Sequence, residues 1–220
     1  MLKKILLLSG IMKNLFLLFL IFLSYSGISQ DTAVFVSGDK LALMDYYQDT
    51  TDKNVFILKT MKGKYKSINK EEIFSFVKKT GGEDIIFEPF EADDANFTID
   101  NMRIYIKGEQ EARKNSHTFV ATVSGFLVGV ASPVFLSTIG TNSLFYSPIP
   151  VAATNFVVGL SVPTKKSVVR KYPQMGKNNF FVEGYRSTAR SKRLNNSIKG
   201  GLIGFGIGVI SSFILSNNLK

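Results

Sequence analysis

Apolar positions change their spacing twice along the chain. Between residues 32 and 90 they come in short blocks. These are Ala33–Val36, Lys40–Met44, Val55–Leu58, Tyr65–Ile68, Ile73–Val77 and Ile85–Phe87. Ser37-Gly38-Asp39, Lys62-Gly63-Lys64 and Thr80-Gly81-Gly82 separate several of them with turn-forming residues. Strands of about five residues broken by glycine turns predict a small antiparallel sheet or barrel over 30–90.

Past Pro89 the spacing lengthens to that of helices. Thr98 is placed to cap a helix over 98–116, with Asp100 in its first turn and Met102, Tyr105 and Ile106 along one side. Asn115 to Thr164 then holds no charged residue. Within it 117–139 reaches roughly 35 Å as a helix, enough for a bilayer core of about 30 Å, and Pro133 predicts a kink near its far end. The segment 147–162 is bracketed by Pro148, Pro150 and Pro163 and reaches only about 24 Å. A membrane hairpin over 117–163 is expected, its second half a short return helix or a re-entrant segment. A basic linker with an interfacial helix over 164–199 leads to a third apolar stretch, 200–216. The fold class expected is α+β: a small β domain, an amphipathic juxtamembrane helix, and two to three glycine-rich transmembrane helices.

The N-terminus changes where this architecture is placed. Lys3, Lys4 and Lys13 precede an apolar run from Leu15 to Leu23, and Gly27 and Ser29 stand at −3 and −1 of a cleavage site. That is the pattern of a secretory signal peptide over 1–29, with an uncleaved anchor as the alternative. The chain has no cysteine, so disulfides, thiolate metal sites and lipid attachment through cysteine are excluded. Its charge is segregated. Residues 30–115 carry 13 basic and 16 acidic side chains, whereas 165–199 carry ten basic residues against Glu183 alone. A basic segment beside membrane helices points to anionic lipid headgroups rather than nucleic acid.

Gly200, Gly204, Gly208 and Ser212 recur every four residues, as do Ala121, Gly125 and Gly129. Small residues at that spacing let two membrane helices approach at backbone distance, so the two rows are expected to pack on each other. Arg186, Arg190, Lys192, Arg193 and Lys199 are expected to contact lipid headgroups. His117 is the one histidine and sits at the water edge of the first span. A histidine or thiolate zinc site cannot be assembled from it. Glu71-Glu72 and Asp93-Asp94 read as solvated surface, and no phosphate-binding glycine loop is present. The expectation is a chain that is not an enzyme and needs no cofactor.

Three stretches together carry a resemblance. They are the β domain with Ser37-Gly38-Asp39 and Lys79-Thr80-Gly81-Gly82, the segment Met102 to Arg113, and Gly184-Tyr185 followed by Ala189 to Arg193 and the glycine-rich helix. Gly108 to Arg113 and Gly184 to Arg190 also echo one another. The pattern resembles a family of uncharacterised membrane proteins of Bacteroidota. It implies a Gram-negative envelope location and brings no activity or site residues.

The expected function is a non-catalytic envelope protein, most naturally in the inner membrane, whose periplasmic β module binds another envelope component. Self-association and an oligomeric transport or pore-forming role form the alternative. Lysine and arginine tend to stay cytoplasmic, so the linker is expected opposite the exported domain, with 147–162 only dipping into the membrane.

Overall fold

The computed structural model describes residues 30–89, 98–139 and 145–218. The expected signal peptide, most of the acidic connector, and the turn at 140–143 lie outside them. The chain divides into a β unit, ending at Ile86, and a helical unit made of Phe87–Lys220 together with Val36–Asp39.

The β unit is one antiparallel sheet of six strands: β1 Asp31–Phe35, β2 Lys40–Gln48, β3 Val55–Thr60, β4 Tyr65–Asn69, β5 Ile73–Val77 and β6 Glu83–Ile85. Their order is β4-β3-β2-β1-β5-β6, so β4 and β6 form open edges and the sheet does not close into a barrel. The last strand also ends earlier than its apolar residues suggest. Side chains alternate across a strand, and β3 is buried at every second position, Phe56, Leu58 and Thr60. Ala33, Leu43, Ile73 and Phe76 complete the core with Phe56 and Leu58. Tyr46 stacks on Phe76 at 3.9 Å between ring centres, and Phe56 meets the same ring at 5.3 Å. The β3–β4 turn passes through Gly63 at φ +73°, a conformation that glycine adopts without a Cβ penalty.

The helical unit begins with α1, Ile99–Asn115, whose first turn is capped by Thr98 accepting from the Asn101 amide. Ser116 to Thr118 interrupt the helix, and α2 runs over Phe119–Ile139 with Pro133 buried inside it. The helix continues past that proline to Ile139. Then come α3, Pro148–Leu160, and α4, Lys165–Lys171, capped by Thr164. A 3-10 turn over Met175–Lys177 follows. The last helix, α5, runs unbroken from Asn179 to Asn218, roughly 60 Å. The expected helix over 200–216 is its second half. No proline stands within α5, so nothing ends the helix between linker and apolar stretch.

α5 lies parallel to α1 and α2 taken together. Tyr105 neighbours Gly184, Thr122 neighbours Gly200, Phe126 neighbours Gly204, and Val130 neighbours Gly208. Each partner lies 78 or 79 residues further along the chain, so the two tracks advance in step. The start of α3 lies near the far end of α2, where the Ser132 hydroxyl donates to the Ser147 carbonyl. At the other end of α3, Arg193 donates to the Ser161 carbonyl. This helix therefore runs back against its neighbours.

The basic linker consequently packs beside α1 rather than at the far end of the helical unit. Lys171 Nζ donates to the Asn115 carbonyl at 3.1 Å, and Lys192 Nζ donates to the Arg113 carbonyl at 2.6 Å. Tyr172, Phe181 and Tyr185 cluster there, with Ala112, Val168, Val182 and Ala189 buried around them.

Candidate functional site

Two surfaces of the helical unit concentrate unusual features: a seam of small residues and a polar collar. The seam is built from helix geometry. Residues four apart advance about 400°, so each glycine row forms one slanting face. A Cβ placed on Gly125 would come under 3.0 Å from the Ser197 carbonyl oxygen, one on Gly200 under 3.0 Å from that of Thr122, and one on Gly204 under 3.0 Å from that of Phe126. Side chains do not tolerate such distances, so the seam is set at backbone contact. Ala121, Gly125, Gly129, Gly200, Gly204, Gly208 and Ser212 are all buried along it.

The seam extends beyond those seven residues. Gly201 turns toward α3, where an added Cβ would meet Val151 at 2.8 Å. Ser197 donates to Asn155 Oδ1 at 2.6 Å and joins the same two helices. On α1, a Cβ on Gly108 would collide with the Phe181 carbonyl, and one on Gly184 with the Tyr105 carbonyl. The Gly108 and Gly184 segments, alike in sequence, thus pack on each other. Doubling of glycine at 200–201 was a legible signal for two neighbours; a lone glycine in a polar helix was not.

Outside the seam many large apolar side chains of α2, α3 and the second half of α5 point away from the bundle. Phe119, Phe135, Phe156, Leu160, Leu202 and Ile210 are all well exposed. Small residues inside and large apolar residues outside invert the arrangement of a water-soluble helical domain. α2, and α5 over Asn179–Leu215, are long and apolar enough to cross a membrane.

The collar holds the ionisable groups. Glu109 is buried on α1 beside α5, and Thr188 donates to its Oε1 at 3.2 Å. Its Oε2 is buried with no hydrogen-bond partner among the described residues. Burial pushes the carboxyl up to about 7, while the Thr188 hydroxyl and the Arg113 charge pull it back and Asp39 adds to the rise. Above it sits the Ser37–Asp39 turn, with Gly38 at φ +78° and so close that an added Cβ would lie 2.8 Å from the Glu109 Cβ. Arg113 fastens the turn, pairing with Asp39 at 2.8 Å and donating to the Ser37 carbonyl at 2.8 Å. Glu109 carried no sequence signal, because only the approach of α5 and the turn buries it.

The expected headgroup residues differ in their surroundings. Arg186 donates through Nε to the Pro163 carbonyl, and Arg193 donates to the Ser161 carbonyl, so both brace the segment between α3 and α4. Lys192 faces α1. Arg190 and Lys199 are exposed. His117 is exposed in the break between α1 and α2. Glu71 and Glu72 are exposed on a 3-10 turn of the β unit, while Asp93 and Asp94 fall outside the described residues. Among the described residues no group of three or more histidine, aspartate or glutamate side chains is placed to hold a metal.

Searches against protein-family models, curated proteins and solved structures found no match to the chain.

Proposed function

We propose that this chain is a non-catalytic membrane protein of the cell envelope, whose helical unit anchors a small β module that binds another envelope component. The observation that carries the membrane reading is the inversion of the bundle. Its interior is lined by Ala121, Gly125, Gly129, Gly200, Gly204 and Gly208, while residues such as Phe135, Phe156 and Ile210 face outward. In lipid, helices associate through close packing of small residues, and large apolar side chains are solvated by acyl chains. Three apolar helices running up, back and up would then place α1, the basic linker and the first turns of α5 on one side.

The binding role rests on the β unit. Its strands β4 and β6 stand at the two ends of the sheet, and a sheet edge is the usual template for adding a partner strand. The reading is non-catalytic because the sequence offers one histidine and no cysteine from which to build familiar reactive centres. The pore alternative draws no support from the glycine rows, which are occupied within one chain.

Mass measurement of the full chain in detergent, with conductance in planar bilayers, tests the choice. A monomer or a mixed complex is expected, with crosslinks to a different envelope protein formed from positions on β4 such as Lys66. A discrete homo-oligomer that conducts ions would overturn the reading.

A further inference from the structure

We propose that the cleft between α4 and the opening turns of α5 binds the phosphate of an anionic lipid headgroup. The cleft encloses about 520 Å³ and is lined by Lys165, Asn179, Glu183, Arg186, Ser187 and Arg190 among others. Three cations face one carboxylate, a surplus of two positive charges in a single concavity. Arg186 and Arg190 stand four apart on α5, on the same helix face, where like charges repel. A bound anion removes that repulsion.

The cations are held rather than loose. Arg186 is anchored through Nε to the Pro163 carbonyl at 3.0 Å, which leaves four of a guanidinium's five N–H donors. Lys165 Nζ is fixed by Asn179 Oδ1 at 2.7 Å. Arg190 has no ion-pair or hydrogen-bond partner among the described residues. A guanidinium presents paired N–H groups that match two phosphate oxygens, and serine and asparagine supply further polar contacts.

Depth in the bilayer selects a lipid as the source of the phosphate, and this step rests on the membrane reading above. The outward apolar residues of α3 end at Leu160, one residue before the carbonyl that Arg193 holds. On α5 the outward apolar residues begin at Ile198, two turns beyond Arg190. The cleft therefore opens where the apolar surface stops, the level of lipid phosphates.

The test uses the full chain in phosphatidylcholine nanodiscs containing a minor fraction of phosphatidylglycerol, with bound lipid read by native mass spectrometry. Arg190→Ala with Lys165→Ala is expected to lower retention of phosphatidylglycerol over phosphatidylcholine about tenfold, the effect of losing charge-assisted hydrogen bonds. Lys166→Ala with Lys177→Ala removes the same charge from exposed positions that do not line the cleft, and should change retention less than about twofold. Both double variants should melt like the parent chain. Equal losses in the two would overturn the cleft in favour of diffuse attraction. Displacement of the lipid by soluble glycerol 3-phosphate would overturn the lipid assignment. A chain recovered without detergent would instead overturn the membrane reading, whereas a membrane-bound chain lacking the preference sinks the cleft alone.

Discussion

Gly204 and Phe126 are pressed so closely that a single methyl group on the glycine would lie under 3.0 Å from the phenylalanine's carbonyl oxygen. Two turns of backbone, rather than two side chains, form the contact. Gly206 on the same helix has open space around it, with nothing within 4 Å of an added Cβ.

The two glycines make a matched pair of substitutions. Gly204→Ala must push α2 and α5 apart and should cost about 1–3 kcal/mol in detergent unfolding. Gly206→Ala meets nothing and gains helix propensity, so it should be neutral or stabilising by up to about 1 kcal/mol. Equal effects of the two would mean that the seam is not in backbone contact.

Glu109 predicts a pH dependence with a definite sign. Its folded-state pKa stands at about 7 against an ordinary value of 4.5. The folded chain thus binds this proton more tightly than the unfolded chain, and stability from this group falls as pH rises between those two values. The groups facing the carboxyl are Thr188, Arg113 and Asp39. Chemical unfolding at pH 5 and pH 8 should show a loss on the order of 3 kcal/mol that is absent in Glu109→Gln. A variant that keeps the parent's pH slope would show that the carboxyl is solvated.

Sidedness supplies the third test. The connector from Phe87 to Thr98 holds no apolar stretch long enough to cross a membrane, and the linker packs beside α1. Because the chain has no native cysteine, single cysteines report cleanly. Ser187→Cys and Ser67→Cys should react alike with a membrane-impermeant thiol reagent in intact spheroplasts. Labelling at Ser67 without Ser187 would contradict the parallel bundle, and labelling at neither would remove the export of the β unit.

Local features were legible because local chemistry encodes them. Glycine turns at Gly63 and Gly81 and alternating residues such as Phe56 and Leu58 specified strands, and Thr98 specified a helix start. What escaped were relations between segments distant in sequence. Nothing near Glu109 announces that α5 and the Ser37–Asp39 turn will bury it. The packing of the linker beside α1 depends on Tyr172 meeting Asn115, 57 residues away along the chain. The open sheet edge was equally hidden, since closure into a barrel depends on strand order rather than on strand composition.

The two parallel tracks of the helical unit differ in one respect with a mechanical consequence. The first is jointed at Ser116–Thr118, between collar and apolar bundle, and there the buried Ser116 hydroxyl has no hydrogen-bond partner among the described residues. The second, α5, passes the same level as one continuous rod. A tilt of the collar relative to the apolar bundle therefore cannot be shared equally. The rod carries the load, the joint takes up the bend, and the seam at Gly125 and Gly200 is the fulcrum nearest to it.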